Sequence, residues 1–249
     1  MGDSIPESET AQPGAREEET DMKVTYWSDY ACPYCYIGET RLKRAIASLG
    51  LEDDVVVEMR AFELNPDAPR EVVGPTLDRF AAKYGLTRDA AAERIEGISR
   101  MGRDEGIEFN YATTLNTNML DAHRLTKLAH SLGNTRFEGL CYEAYFVKNE
   151  VMADHGVLRR LAAEAGLPGA DVERVLASDE YEDEVRADER DAYAMGVHAV
   201  PFFVVDGKYT IAGCYPTEEM ARVLERAHGE SLAEGAAQGM SCGPEGCAL

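Results

Sequence analysis

A chain of 249 residues, 45% of them hydrophobic, is long enough to bury a core as one large domain or two small ones. Its 46 acidic residues against 25 basic ones leave a formal net charge of −21, which repels DNA, RNA and anionic bilayers and excludes nucleic acid and membrane surfaces as partners. The lysines are few (Lys23, Lys43, Lys83, Lys127, Lys148 and Lys208), and an acidic, lysine-poor surface suits concentrated salt, so a halophilic source is expected.

Residues 1–22 are polar and acidic, with Pro6 and Pro13, and read as a disordered acidic leader. They hold no apolar run of the secretory kind, and no stretch approaches a membrane span, so the expected location is the cytoplasm. In a reducing compartment the six cysteines are expected to be reactive or metal-binding before they are structural.

Val24 to Ser28 predicts a first strand. Directly after it come Cys32-Pro33-Tyr34-Cys35, then an amphipathic stretch in which Leu42, Ala45, Ile46 and Leu49 recur at helical spacing and Gly50 can cap the end. Strand, tight turn, helix is the setting in which a C-x-x-C pair does redox chemistry. A sulfur at the start of a helix faces unpaired N–H groups and a partial positive charge, which favour the thiolate. Pro33 suits the first helical position because its missing N–H would be unpaired there anyway. Cys32 is therefore read as the attacking thiol and Cys35, one turn on, as the resolving thiol. A permanent disulfide, or half of a zinc site, is the alternative for the same pair.

Val55 to Phe62 predicts a second strand, parallel to the first because a helix joins them. Glu63 to Pro69 is a loop by its prolines. From residue 75 to 178 the pattern is helical throughout: Thr76 to Tyr84, a helix capped by Thr87, one with an apolar stripe at Leu125, Leu128, Ala129 and Leu132, then Phe137 to Lys148, His155 to Ala165 and Ala170 to Ala177. An acidic helix follows from Tyr181 to Met195. Val200 to Val205 is a strand opened by Pro201, Asp206-Gly207 a hairpin turn, and Lys208 to Ile211 the return strand. Pro216 to His228 is a closing helix. Residues 231–249 read as a flexible, glycine-rich tail carrying Cys242 and Cys247.

Four segments carry a resemblance: Ser28 to Gly38, Phe62 to Pro69, Asn116 to Leu125, and Val197 to Phe203. Together they resemble the DsbA family of thioredoxin-like proteins, and more narrowly its FrnE-like branch. The resemblance implies an α/β fold: a thioredoxin-like domain built from residues 23–74 and 179–230, with a large α-helical insertion at 75–178. It implies thiol–disulfide exchange through Cys32 and Cys35, with a cis proline, Pro201, facing them after Val200. Pro33, Tyr34 and Val200 would then border the substrate. The chain departs from the family in having Tyr34 where tryptophan is common, and Tyr26 where thioredoxin has a buried acid. Asp29, the nearest acid, is expected to cap the helix start before it serves as a base.

Substrates would be dithiols or disulfides of a protein or a small molecule, served by a reductant or oxidant partner. No cofactor or metal is expected, with glutathione or another low-molecular-weight thiol as the candidate co-substrate. Cys242 and Cys247 could form an auxiliary dithiol that the tail presents at high effective concentration. Cys141 and Cys214 are read as ordinary cysteines, the latter near the groove. His123 lies opposite the Leu125–Leu128–Leu132 stripe, where a solvated or locally bonded ring is expected, with one lining a substrate cleft as the alternative. Two other classes compete. One is a glutathione-dependent isomerase or transferase resembling hydroxychromene carboxylate isomerase, whose nucleophile position holds serine where this chain has Cys32. The other is a zinc-binding or chaperone module.

Overall fold

The structure, a computed structural model, describes residues 22–239. The expectations for residues 1–21 and for Cys242 and Cys247 lie outside them. Strand β1 (Met22–Ser28) leads into helix α1 (Pro33–Leu49), which Gly50 ends in the left-handed conformation at φ 67°, and then into β2 (Val55–Ala61). The acidic helix is α8 (Glu182–Ala194). After it come β3 (Phe202–Val205), β4 (Tyr209–Ala212) and the final helix, which is α9 (Thr217–Gly239). Among the described residues these strands form one four-stranded sheet in the order β2-β1-β3-β4. β1 runs parallel to β2, and β3 is antiparallel to both β1 and β4. Asp206 and Gly207 take φ 52° and 67°, the two left-handed residues that a tight hairpin between twisted strands requires.

Between β2 and α8 lie α2 (Thr76–Tyr84), α3 (Arg88–Asp104), α4 (Leu120–Ser131), α5 (Arg136–Phe146), α6 (His155–Ala165) and α7 (Gly169–Leu176). Thr87 caps α3 as expected, its hydroxyl accepting the Ala90 N–H at 3.2 Å. One hydrophobic cluster joins the sheet to these helices: Tyr26 stacks on Phe203 at 5.4 Å, and Tyr36 on Tyr142 of α5 at 5.0 Å.

Three expectations change. The helical pattern is interrupted at residues 105–119, where a single 3-10 turn (Tyr111–Thr113) sits in irregular chain. Its polar side chains bond backbone instead of continuing a helix: Thr114 to Tyr111 O, Thr117 to Ala153 N, Asn118 to Leu120 N. Met22 is strand, not leader. The closing helix runs on to Gly239, through residues expected to be flexible tail; alanine, leucine and glutamate there favour helix enough to carry isolated glycines.

Candidate active site

The tip of β1 and the start of α1 set two sulfurs at different depths. Cys32 occupies the N-cap position in extended conformation, with Pro33 following as the first helical residue. Its N–H donates to Asp29 O at 3.0 Å, and its carbonyl accepts the Cys35 N–H at 3.1 Å. Cys32 retains 4% exposure whereas Cys35 retains none. Burial pushes the Cys35 thiol well up. Its contact with Cys32 adds to that rise, while the Ser28 hydroxyl and the Asp29 N–H draw it back. The Ser28 hydroxyl also meets the Tyr142 hydroxyl, so the Cys35 sulfur rests on a buried polar pair.

Facing them is the start of β3. The Val200–Pro201 peptide is cis, and the Cys32 thiol donates to Val200 O at 3.5 Å. Pro201 O accepts the Gly213 N–H at 2.8 Å, which fastens this corner to the end of β4. Gly38 lets α1 approach: a Cβ there would lie 3.0 Å from Pro201 Cγ and 3.2 Å from Phe203 Cζ. A glycine inside a helix pattern marks such a close approach, and that signal was present in the sequence.

Tyr34 is 39% exposed and Pro33 is buried, so Tyr34 alone of that dipeptide faces solvent. Burial raises the Tyr34 hydroxyl, with Cys214, Cys32 and Tyr84 as the neighbouring groups. The Tyr111 hydroxyl is raised by burial and then by Tyr145, Cys32, Tyr34 and Tyr84. Tyr34 of α1 and Tyr111 of the 3-10 turn are thus within electrostatic reach of Cys32, and Tyr84 of α2 is within reach of both tyrosines. The sequence reading singled out neither Tyr84 nor Tyr111, because only the packing of α2 and the 105–119 segment brings them toward Tyr34.

Residues 23–225 match the DSBA-like thioredoxin domain. The chain belongs to that family. Its DsbA-like fold is shared with a crystal structure described as a probable DsbA oxidoreductase, SCO1869, from Streptomyces coelicolor. The two align at 35% identity with a TM-score of 0.80, over 92% of this chain and 99% of that one. The uncharacterized protein YwbO of Bacillus subtilis (strain 168) is 27% identical over 194 residues, 74% of this chain and 86% of YwbO. A 2-hydroxychromene-2-carboxylate isomerase structure aligns with a TM-score of 0.60 at 14% identity, over 87% of this chain and 98% of that one, and shares the fold.

Two sequence expectations fail within this DsbA-like site. Asp29 does not cap α1. Its Oδ1 accepts the Ala31 N–H at 3.0 Å and its Oδ2 the Leu64 N–H at 2.7 Å, so it ties the active-site turn to the loop after β2. His123 touches neither solvent nor a cleft. It is 1% exposed and stacks on Tyr30 with ring centroids 4.9 Å apart. α4 is buried on the face opposite its leucine stripe as well, while Leu132 is the residue left exposed.

Cys141 is buried, and burial raises its thiol. Cys214 is half-buried beside the groove, its Cβ 3.5 Å from the position a Gly38 Cβ would take. Among the described residues no group of three or more His, Cys, Asp or Glu side chains is placed to hold a metal ion, and no helix is long and apolar enough to cross a membrane.

Proposed function

We propose that this DsbA-family chain is a thiol–disulfide oxidoreductase working through Cys32-Pro33-Tyr34-Cys35. The observation that carries the reading is the placement of Cys32: at the N-terminus of α1, 3.5 Å from the carbonyl that precedes Pro201 and only 4% exposed, with Cys35 wholly buried beneath it. The helix terminus favours negative charge on Cys32. The thiolate attacks one sulfur of a substrate disulfide, the other sulfur leaves as thiolate, and a mixed disulfide forms. Cys35 then gives up its proton and attacks Cys32 Sγ, releasing the second substrate thiolate and leaving the Cys32–Cys35 disulfide. The substrate gains two electrons and the enzyme loses them. A dithiol partner, or a low-molecular-weight thiol such as glutathione, restores the enzyme. Run in reverse, the oxidised pair introduces a disulfide.

Val200, Pro201 and Tyr34 border the attacked bond, and the exposed Tyr34 ring offers an aromatic contact beside it. Cys242 and Cys247 are proposed as the auxiliary dithiol that returns electrons to the centre; serine at both should slow turnover with the first exchange step unchanged. A cytoplasmic location and membership of the FrnE-like branch complete the proposal, the latter resting on the four sequence segments alone.

The test is insulin reduction by the wild type beside Cys32→Ser and Cys35→Ser, with glutathione conjugation as the control. Loss of reduction in Cys32→Ser supports the reading. Conjugating activity without disulfide reduction favours the isomerase or transferase class, and stoichiometric zinc on an inactive protein favours the binding module.

A further inference from the structure

His123 is a buried titratable side chain for which the exchange mechanism has no use. Neither of its ring nitrogens has a hydrogen-bond partner, although the side chain is 1% exposed. Unpartnered polar atoms at that depth are rare and call for a reason. The groups around them are acids. Asp29 Oδ1 lies 3.6 Å from His123 Nε2. Glu63, at the start of the loop after β2, has one buried oxygen, Oε1, without a partner. Burial pushes the Glu63 carboxyl up, and the charge of His123 is the first influence pulling it down, ahead of Arg186.

Asp29 is the link to the chemistry. Its two oxygens hold the Ala31 and Leu64 N–H groups, its carbonyl accepts the Cys32 N–H, and its own N–H faces the Cys35 thiol. The Cys32 backbone and the Cys35 sulfur therefore both lean on this one residue. A buried carboxylate held only by neutral donors is costly without a countercharge, and among the described residues His123 is the one basic side chain that pairs with Asp29. The acceptor that faces the ring is Asp29 Oδ1.

We infer that His123 is a positioning residue of the exchange reaction: its buried ring, stacked on Tyr30 with Nε2 3.6 Å from Asp29 Oδ1, holds the Asp29 carboxyl in place and so fixes the turn that presents Cys32. The inference rests on the oxidoreductase reading of Cys32 and Cys35. The groups facing the ring are Asp29 and Tyr30 from the β1–α1 turn and Glu63 from the loop after β2, backed by Arg186 and Glu189 of α8. One turn further along α4, Lys127 pairs with Asp188 of α8. Removing the ring takes away the side chain packed against Tyr30 and Asp29, which frees Asp29 to release one of its two N–H groups and loosens the helix start that favours the Cys32 thiolate.

The test is the pH profile of iodoacetamide alkylation of Cys32, read at that residue by mass spectrometry. It needs no disulfide substrate. His123→Phe keeps a ring against Tyr30 and removes both nitrogens. Its profile should move to higher pH by about half a unit to one unit, with insulin reduction near neutral pH slowed by up to about tenfold. His123→Gln, which keeps a donor but not the ring, should shift in the same direction and serves where the phenylalanine variant does not fold. In an Asp29→Asn background the shift should shrink, since the two residues act as a pair. Wild-type profiles in both His123 variants, or an undiminished shift in the Asp29→Asn background, would overturn the inference. Absence of insulin reduction in the wild type would instead overturn the oxidoreductase reading, and the alkylation profiles would still be readable.

Discussion

A methyl group on Gly38 sets the packing of α1 against the geometry of the exchange site. The added carbon would lie 3.0 Å from Pro201 Cγ, 3.2 Å from Phe203 Cζ and 3.5 Å from Cys214 Cβ. Carbon atoms attract best at about 3.5–4.0 Å, so the first two contacts are closer than that and repulsive. Neither neighbour can swing aside: the Pro201 ring is closed on its own backbone, and Phe203 is fully buried. Overpacking of this kind costs about 1–3 kcal/mol. Alanine in a helix interior returns about 1 kcal/mol relative to glycine. The net expectation for Gly38→Ala is a loss of about 0–2 kcal/mol, read as a lower urea midpoint with an unchanged slope. The strain falls on the Cys32–Val200 contact, and a shift of a few tenths of an ångström there should slow insulin reduction by about three- to tenfold. A variant as stable and as active as the wild type would refute the close-approach argument.

Other outcomes follow from buried groups. Arg124 is 4% exposed and binds Asp121 Oδ1 and the carbonyls of Val175, Ser178 and Glu180, so Arg124→Met should cost about 3–5 kcal/mol in chemical unfolding; a loss under about 1 kcal/mol would contradict the network. Tyr26, Tyr30, Tyr142, Cys35 and Cys141 are all raised by burial first. The folded chain therefore keeps protons that the unfolded chain loses, and the melting temperature should fall steadily above about pH 9; a flat profile to about pH 11 would contradict it. Asp121 has the opposite sign. Burial pushes it up, but hydrogen bonds from His155 and Arg70 leave it lowered, so its contribution is lost as pH falls through the carboxylate range. Added potassium chloride should raise the melting temperature of a chain with net charge −21, and an unchanged value would count against adaptation to salt.

The parts of this molecule legible in the sequence are those decided by neighbours along the chain. The Cys32–Cys35 spacing after an apolar strand gave the turn from β1 into α1. Asp206-Gly207 gave the hairpin, Gly50 the end of α1, and Thr87 the start of α3. What stayed hidden depends on contacts between distant segments. His123 sits on a face of α4 that looks polar in one dimension, and is buried only because the β1–α1 turn lies over it. Asp29 reads as a helix cap until Leu64, 35 residues on, claims its second oxygen.

The central claim is most directly tested by trapping the half-reaction. Cys35→Ser incubated with a disulfide substrate and digested without reductant should yield one covalent adduct, on Cys32, and Cys32→Ser should yield none. Adducts on Cys214 or Cys141 in place of Cys32, or no adduct in either variant, would contradict the assignment of Cys32 as the attacking sulfur.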